Sequence, residues 1–368
     1  MRNTTMWQFY NPVSISFGQD AIPALKAALH GRKYAIVTYN HPYFDELTGK
    51  VLNSVAGGQA VFNQVSENPD IADLPVICEA FSAHQSDVEV LVAIGGGSVI
   101  DTTKALAVAK SNAGVIHNVL VEGEPVANPL PMIVLPTTTG TGSEVTCWAT
   151  IWDKASNKKF SLSNLSLYPE AAICDPKLTL KLPVSLTVQT GLDALSHAME
   201  SIWNRNCNPV SLMFAQQAIT TILSTLPDLV KAPNNLQLRS LMMQGSLNAG
   251  LAFSNTKTSI SHNLSYAVTL SKGLPHGIAC SFTLPAVLAS FSHSDCETSV
   301  FLRTVFGADL NASAQDLETW IHALNVQTQP EDYGFTRSEW KQMVEDALQG
   351  DRGKNFSGCS NQLMNIFF

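Results

Sequence analysis

Three short runs dominated by consecutive apolar residues do most to limit what this chain can fold into: YAIVTY (34–39), VEVLVAIG (88–95) and PMIVLP (131–136). A strand with one wet face alternates apolar and polar residues. Continuous runs of this length therefore predict strands covered on both faces. The stretches 70–85 and 99–110 between them have helical composition. Such alternation predicts an α/β domain on a mainly parallel sheet, with VSISFG (13–18) adding an early strand and YPEAAICDP (168–176) closing the set.

From about Pro183 the periodicity changes. SLMFAQQAITTILSTLPDLV (211–230) and LRSLMMQGSLNAGLAFSN (238–255) run at helical spacing, and strand-like runs nearly vanish. The expected fold class is α/β plus all-α: a parallel-sheet domain over residues 1–181, then a helical domain over 182–368, meeting near KLPVSL. A cleft between two such domains is a natural ligand site.

The chain has 368 residues, of which 45% are hydrophobic and 14% charged. That suits a large core and more than one domain, and charge this sparse suggests that some surface is buried against another subunit. The net charge of −8 comes without basic blocks, which argues against nucleic acid or an anionic membrane as partner. No window approaches about 18 uninterrupted apolar residues, so no membrane span is expected. The opening MRNTTMWQFYNPVSISFG has no positive head followed by a long apolar stretch, so no signal peptide is expected. Seven cysteines without a CxxC pair read as reduced thiols, and a cytoplasmic protein is the expectation.

VLVAIGGGSVIDTTKALA is a strand, a glycine turn and a helix. Gly95, Gly96 and Gly97 let backbone approach a ligand closely, and Ser98 opens a helix whose free N–H groups and positive dipole end suit a phosphate. A lone turn of this kind is as often an ordinary βα connection. A second loop, PTTTGTGSEVT (136–146), leaves another buried strand crowded with hydroxyls. Two such loops at the carboxyl ends of parallel strands predict a diphosphate-bearing cofactor.

GLDALSHAME (191–200) places Asp193 and His197 on one helical face among core residues. Alone, the pair reads as a satisfied helix contact. SISHNLSYAVTLSKGLPHGIAC adds His262 and His276, so that one carboxylate and three imidazoles on three helical segments form a candidate four-ligand site. This donor set suits iron(II) or zinc. The other histidines, 30, 41, 84, 117, 293 and 322, lie in polar or loop-like surroundings and are expected at the surface.

In GGGSVID, PTTTGTGSEVT, GLDALSHAME, NAGLAFSN and PHG, in this order and spacing, nearly the whole chain resembles the iron-containing (group III) alcohol dehydrogenase family. The resemblance implies a Rossmann-like dinucleotide-binding domain followed by a helical metal- and substrate-binding domain. It implies a metal-dependent, NAD(P)-linked exchange of hydride between nicotinamide and a metal-bound alcohol or aldehyde, with Fe2+ favoured over Zn2+. By resemblance, Asp193, His197, His262 and His276 are the metal ligands. Gly96, Gly97 and Ser98, with Asp101 behind them, form the diphosphate turn, and Thr137, Thr138 and Thr141 the second cofactor loop. Lys159 lies near the nicotinamide ribose, Asn68 at the cofactor cleft, and Phe253 lines the substrate pocket.

Two positions depart from the family. Many relatives carry a second histidine one turn after the third ligand, where this chain has Tyr266. A tyrosine there passes a proton, orients substrate or simply packs against the pocket wall, and it does not titrate near neutral pH. NAD-preferring relatives often place an aspartate after the IVT of the first unit, where Tyr39 and Asn40 stand here. Without that carboxylate a 2′-phosphate is less strongly rejected, so both NAD and NADP stay open. NTKTSISHNLSY also resembles the branch that reduces phosphonoacetaldehyde, with Lys257, Thr256, Thr258 and Ser259 as an expected anion holder; the alternative is a solvent-facing lysine. Two competing classes are a dehydroquinate synthase-like lyase of the same fold, against which the Asp-x3-His pair argues, and an inactive metal- or nucleotide-binding homologue.

Overall fold

Period-two geometry explains why the apolar runs do not alternate. Leu91, Ala93, Met132 and Val134 feed one buried cluster, while Val90, Val92, Ile94, Ile133 and Leu135 feed another on the opposite face of the same strands. The computed structural model describes residues 6–156 and 158–368. It divides into a unit Asn11–Leu182 and a unit Pro183–Phe368 that includes the chain up to Tyr10.

In the first unit, β1 (Ser14–Phe17), β2 (Tyr34–Val37), β3 (Gly58–Phe62), β4 (Val90–Gly95), β5 (Met132–Pro136) and β8 (Ala171–Cys174) form a six-stranded sheet of order β1-β8-β5-β4-β2-β3. Every pairing in it is parallel. Helices α1 (Ala21–Leu29) and α2 (Pro42–Ser54) supply Leu25, Leu29 and Val51 to one face. Helices α3 (Leu74–Ser82) and α4 (Gly97–Ala109) supply Ile77, Phe81, Val99 and Leu106 to the other, and a short α5 (Ala113–His117) follows. Gly95 pairs with Pro136, so the turns that follow β4 and β5 leave the sheet side by side. Strand order reverses between β2 and β4, the place where such sheets bind ligands.

Two features of this unit differ from the sequence reading. β3 is a half-exposed edge strand, and β6 (Trp148–Asp153) with β7 (Lys158–Ser163) makes a separate antiparallel hairpin. Neither carries a continuous apolar run, because each keeps a face toward solvent.

The second unit is helical: α6 (Val184–Ile202), α7 (Pro209–Lys231), α8 (Leu236–Thr256), α9 (Ile260–Lys272), α10 (His276–Ser281), α11 (Leu284–Ala289), α12 (Glu297–Phe306), α13 (Leu310–His322), α14 (Arg337–Gln349) and α15 (Ser360–Phe367). One core joins them, with Leu195 and Met199 of α6, Ile219 and Leu226 of α7, Met242 of α8, and Trp203, Phe291 and Trp340 fully or almost fully buried. The N-terminal segment joins this unit through Phe9, which stacks on Phe214, and Tyr10, whose backbone N–H donates to the Asn255 side chain at 2.8 Å. No described helix is long and apolar enough to cross a membrane. All seven cysteines are free thiols, five of them buried.

Candidate functional site

Helix α6 carries Asp193, His197 and Glu200 at i, i+4 and i+7, on one buried stripe. Around Asp193 Oδ1 stand three imidazole Nε2 atoms: His262 at 3.4 Å, His276 at 3.9 Å and His197 at 4.0 Å. Donors about 2.1 Å from a common centre, at tetrahedral angles, stand roughly 3.4 Å apart, so the residues fit a divalent transition metal. Asp193 Oδ1 and His262 Nε2 are buried without a hydrogen-bond partner. An orphaned buried polar atom costs about 1–3 kcal/mol, a cost that coordination of a cation would remove. Burial opposes ionisation of Asp193, but the three imidazoles outweigh it and hold the carboxyl well below the usual carboxylate range.

Each imidazole is held by its own device. His262 opens α9, where Glu200 Oε2 accepts from its Nδ1 at 2.8 Å, while Glu200 also accepts the backbone N–H groups of Ser259 and His262. Burial opposes the Glu200 charge, yet His262 and these N–H groups bring its pKa below the usual value. An ionised acceptor fixes Nδ1 as a donor and leaves Nε2, the nitrogen that faces Asp193, as the one a metal ion would take. His197 lies between the rings of Phe253, at 4.0 Å and 9°, and His262, at 4.4 Å. His276 sits at the first residue of α10, directly after Pro275. A Cβ at Gly277 would meet the Gln189 carbonyl oxygen at 1.9 Å, so only glycine lets α10 close on α6 and bring His276 to Asp193.

Cys280, one turn along α10, was not among the sequence candidates. Its Sγ lies 3.6 Å from both ring nitrogens of His276, and the donor atoms of Asp193, His262, His276 and Cys280 all fall within 4.8 Å of one another. Glu200 was also missed: helical phase puts it on the stripe of Asp193 and His197, but its contact with His262 joins elements far apart in sequence. The Tyr266 ring lies parallel to that of His276 at 6.3 Å. Lys257 is exposed and ends α8 with a positive φ of 65°. Thr256 and Thr258 are buried beside it, Thr256 Oγ1 donating to Ser201 and Thr258 Oγ1 accepting from Arg352. Of the remaining histidines, five are exposed and His84 is half-buried against Phe62.

In the first unit the two candidate cofactor turns pack on each other. A Cβ at Gly96 would meet Thr138 Cγ2 at 2.8 Å, and one at Gly97 would meet Thr141 Cγ2 at 2.6 Å. Ser98 Oγ accepts from Asn68 N–H at 3.2 Å, with Asn68 in the left-handed region at φ 54°. Asp101, one turn into α4, is buried and accepts from Thr150 N–H at 2.8 Å. The Thr137 N–H donates to Gly95 O at 3.0 Å, joining the two turns by backbone. Lys159 on β7 lies over the Trp152 ring at 5.5 Å.

Lys104 completes this arrangement and was missed from sequence. It is fully buried on α4, and its ammonium donates to the carbonyls of Ser143, Thr146 and Trp148 at 2.8–2.9 Å, fastening the threonine loop to the glycine-turn helix. Burial pushes its pKa down to about 8. Glu144 in the same loop is buried, and its carboxyl is pushed up to about 7.

Comparison with known proteins gives the chain its relatives. The family profile described as iron-containing alcohol dehydrogenase matches residues 12–176, and that of the C-terminal part of the Fe-containing alcohol dehydrogenase family matches residues 187–366. The NAD-dependent methanol dehydrogenase of Bacillus methanolicus is 33% identical over 288 residues, 77% of this chain and 76% of that one. A sulfoacetaldehyde reductase of Bilophila wadsworthia is 30% identical over 279 residues, 72% of this chain and 71% of that one. The crystal structure of sulfoacetaldehyde reductase from Bifidobacterium kashiwanohense in complex with NAD+ superposes with a TM-score of 0.90 at 28% identity, covering 99% of this chain and 98% of that one.

Proposed function

This chain belongs to the iron-containing alcohol dehydrogenase family, and we propose on that premise that it is an NAD-linked, divalent-metal-dependent reductase of short aldehydes that carry an anionic head group. The observation that carries the metal-dependent part is the meeting of Asp193 Oδ1 with three imidazole Nε2 atoms, two of the four atoms being buried without a hydrogen-bond partner. The anionic class is supported by the two sulfoacetaldehyde reductases among the relatives, and phosphonoacetaldehyde is the phosphonate member of that class.

When bound, the metal ion supplies Lewis-acid polarisation of a carbonyl and the nicotinamide supplies the hydride. Asp193, His197, His262 and His276 are the proposed ligands, with Fe2+ the favoured ion and Zn2+ the competitor. Glu200 orients His262. Phe253, stacked on His197, presents an apolar wall that excludes water beside the ligands. Tyr266 is the proposed proton relay or orienting hydroxyl. Gly96, Gly97, Ser98, Asp101, Thr137, Thr138 and Thr141 hold the diphosphate, with Asn68 and Lys159 at the cofactor's edge. Tyr39 and Asn40 place no carboxylate after β2, so NADP is expected to be accepted beside NAD. A homodimer or larger assembly is proposed, with light scattering as its check.

The test is NADH oxidation by protein reconstituted with Fe2+ or Zn2+, offered sulfoacetaldehyde, phosphonoacetaldehyde and propanal. The proposal expects metal-dependent turnover and a higher kcat/KM for the two anionic aldehydes. Equal turnover of propanal and phosphonoacetaldehyde would sink the anionic class.

A further inference from the structure

Arg352 stands out among the groups that the proposed chemistry leaves unused. It follows α14, is half-buried, and donates through Nη1 to Thr258 Oγ1 at 3.1 Å. A guanidinium offers five N–H donors, and this is the one hydrogen bond it makes among the described residues, with no carboxylate at ion-pair distance. The charge that attracts it is that of Glu200, already committed to His262 and two backbone N–H groups. Desolvation outweighs that attraction and pushes the arginine down to about 10. A cation withdrawn from water without a counter-charge is unfavourable unless an anion reaches it.

Its place relates it to the metal-ligand cluster. The guanidinium carbon lies 4.9 Å from the centre of the Tyr266 ring, and that ring lies parallel to His276 at 6.3 Å. Arg352 is therefore within about 11 Å of the His276 ring centre. A two-carbon aldehyde spans roughly 5 Å from its carbonyl oxygen to a terminal sulfonate or phosphonate oxygen by ordinary bond lengths. A guanidinium N–H···O contact adds about 2.9 Å. With the carbonyl oxygen held where the imidazole Nε2 atoms converge, the head group comes within reach of the free N–H fork, which matches a tetrahedral oxyanion in two-point contact.

We propose that Arg352, stacked on Tyr266 and anchored by Thr258, is the receptor for the sulfonate or phosphonate head group and so determines specificity for anionic aldehydes. This rests on the anionic-aldehyde reading above and assigns it a residue distinct from Lys257.

The experiment compares wild type, Arg352→Met, Arg352→Lys and Lys257→Ala as metal-loaded enzymes, with sulfoacetaldehyde, phosphonoacetaldehyde and propanal as substrates. Calorimetric titration with 2-hydroxyethanesulfonate and 2-hydroxyethylphosphonate, NAD present, gives a readout independent of turnover. Expected is a fall of at least ~10-fold in the ratio of anionic to neutral kcat/KM for Arg352→Met, carried mostly by KM, with a matching loss of binding to the charged alcohols. Arg352→Lys, which keeps the charge without the fork, falls between. The two anionic substrates show which head group the site prefers. A wild-type preference that survives in Arg352→Met, or that disappears in Lys257→Ala instead, overturns the assignment while leaving the anionic-substrate reading intact. Wild type without any preference overturns both.

Discussion

Glutamine at position 200 preserves the shape of Glu200 and removes its charge. Glu200 Oε2 accepts from His262 Nδ1 at 2.8 Å and from Ser259 N–H at 2.7 Å, while Oε1 accepts from His262 N–H at 3.0 Å. An amide has one oxygen for these two acceptor positions, so its NH2 group must confront a donor on one side. If the oxygen stays toward Nδ1, the imidazole keeps a neutral acceptor in place of a charged one. A hydrogen bond to a charged group contributes about 1.5–3 kcal/mol against about 1 kcal/mol for a neutral one. The difference of about 0.5–2 kcal/mol corresponds to roughly 2–30-fold in affinity at 1.4 kcal/mol per decade. Glu200→Gln is therefore expected to weaken metal binding by about 10-fold, in keeping with other carboxylate–histidine–metal arrangements. Competition between the protein and a chromophoric chelator for Zn2+ or Co2+ measures it directly, without turnover. A Glu200→Gln protein that binds either ion within about two-fold of wild type would show that His262 is not held by Glu200 for coordination.

Gly277→Ala puts a methyl group 1.9 Å from the Gln189 carbonyl oxygen, so α10 must retreat from α6. Overpacking of this kind costs about 1–3 kcal/mol, and the expected result is a lower Tm together with reduced metal content; normal values of both refute the close-approach argument. Lys104→Met leaves three loop carbonyls without their donor. The KM for NADH is expected to rise by about 10-fold with the metal content unaltered, and an unchanged KM in a folded variant contradicts the tie. Glu144 has a folded pKa of about 7 against an ordinary value of 4.5, so the folded state binds the extra proton. Its contribution to stability is present below pH 4.5 and is lost as pH rises through 7. Thermal melts at several pH values should show wild type losing stability relative to Glu144→Gln across that window, and parallel curves would refute the buried neutral carboxyl.

Much of the architecture was legible because burial on both faces leaves a direct trace. YAIVTY, VEVLVAIG and PMIVLP each contain a strand of the central sheet, at 34–37, 90–95 and 132–136, and the loss of such runs after Pro183 coincides with the change to helices. GQAVF at 58–62 was not read as a strand because its edge position leaves it half in solvent. The close approach of Asp193 and His197 follows from helical phase alone, and that of His262 and His276 from chemical type. Glu200, Cys280, Lys104 and Arg352 are different. Each is an ordinary helical or loop residue until tertiary packing places it, Glu200 against α9, Cys280 against His276, Lys104 under the threonine loop and Arg352 over Tyr266. Periodicity cannot report contacts between elements so far apart in sequence. Gly277 shows the same limit, since the need for glycine there comes from a carbonyl on another helix.

The proposed role of Asp193 and the three imidazoles around it is to hold a divalent ion. Metal content by mass spectrometry, on wild type and Asp193→Ala purified side by side and checked for retained helicity, tests it most directly. Expected is close to one ion per wild-type chain and less than about a tenth of that in the variant, because the loss of a charged ligand removes the group around which the imidazoles are arranged. An Asp193→Ala protein that keeps its full complement of metal would contradict it.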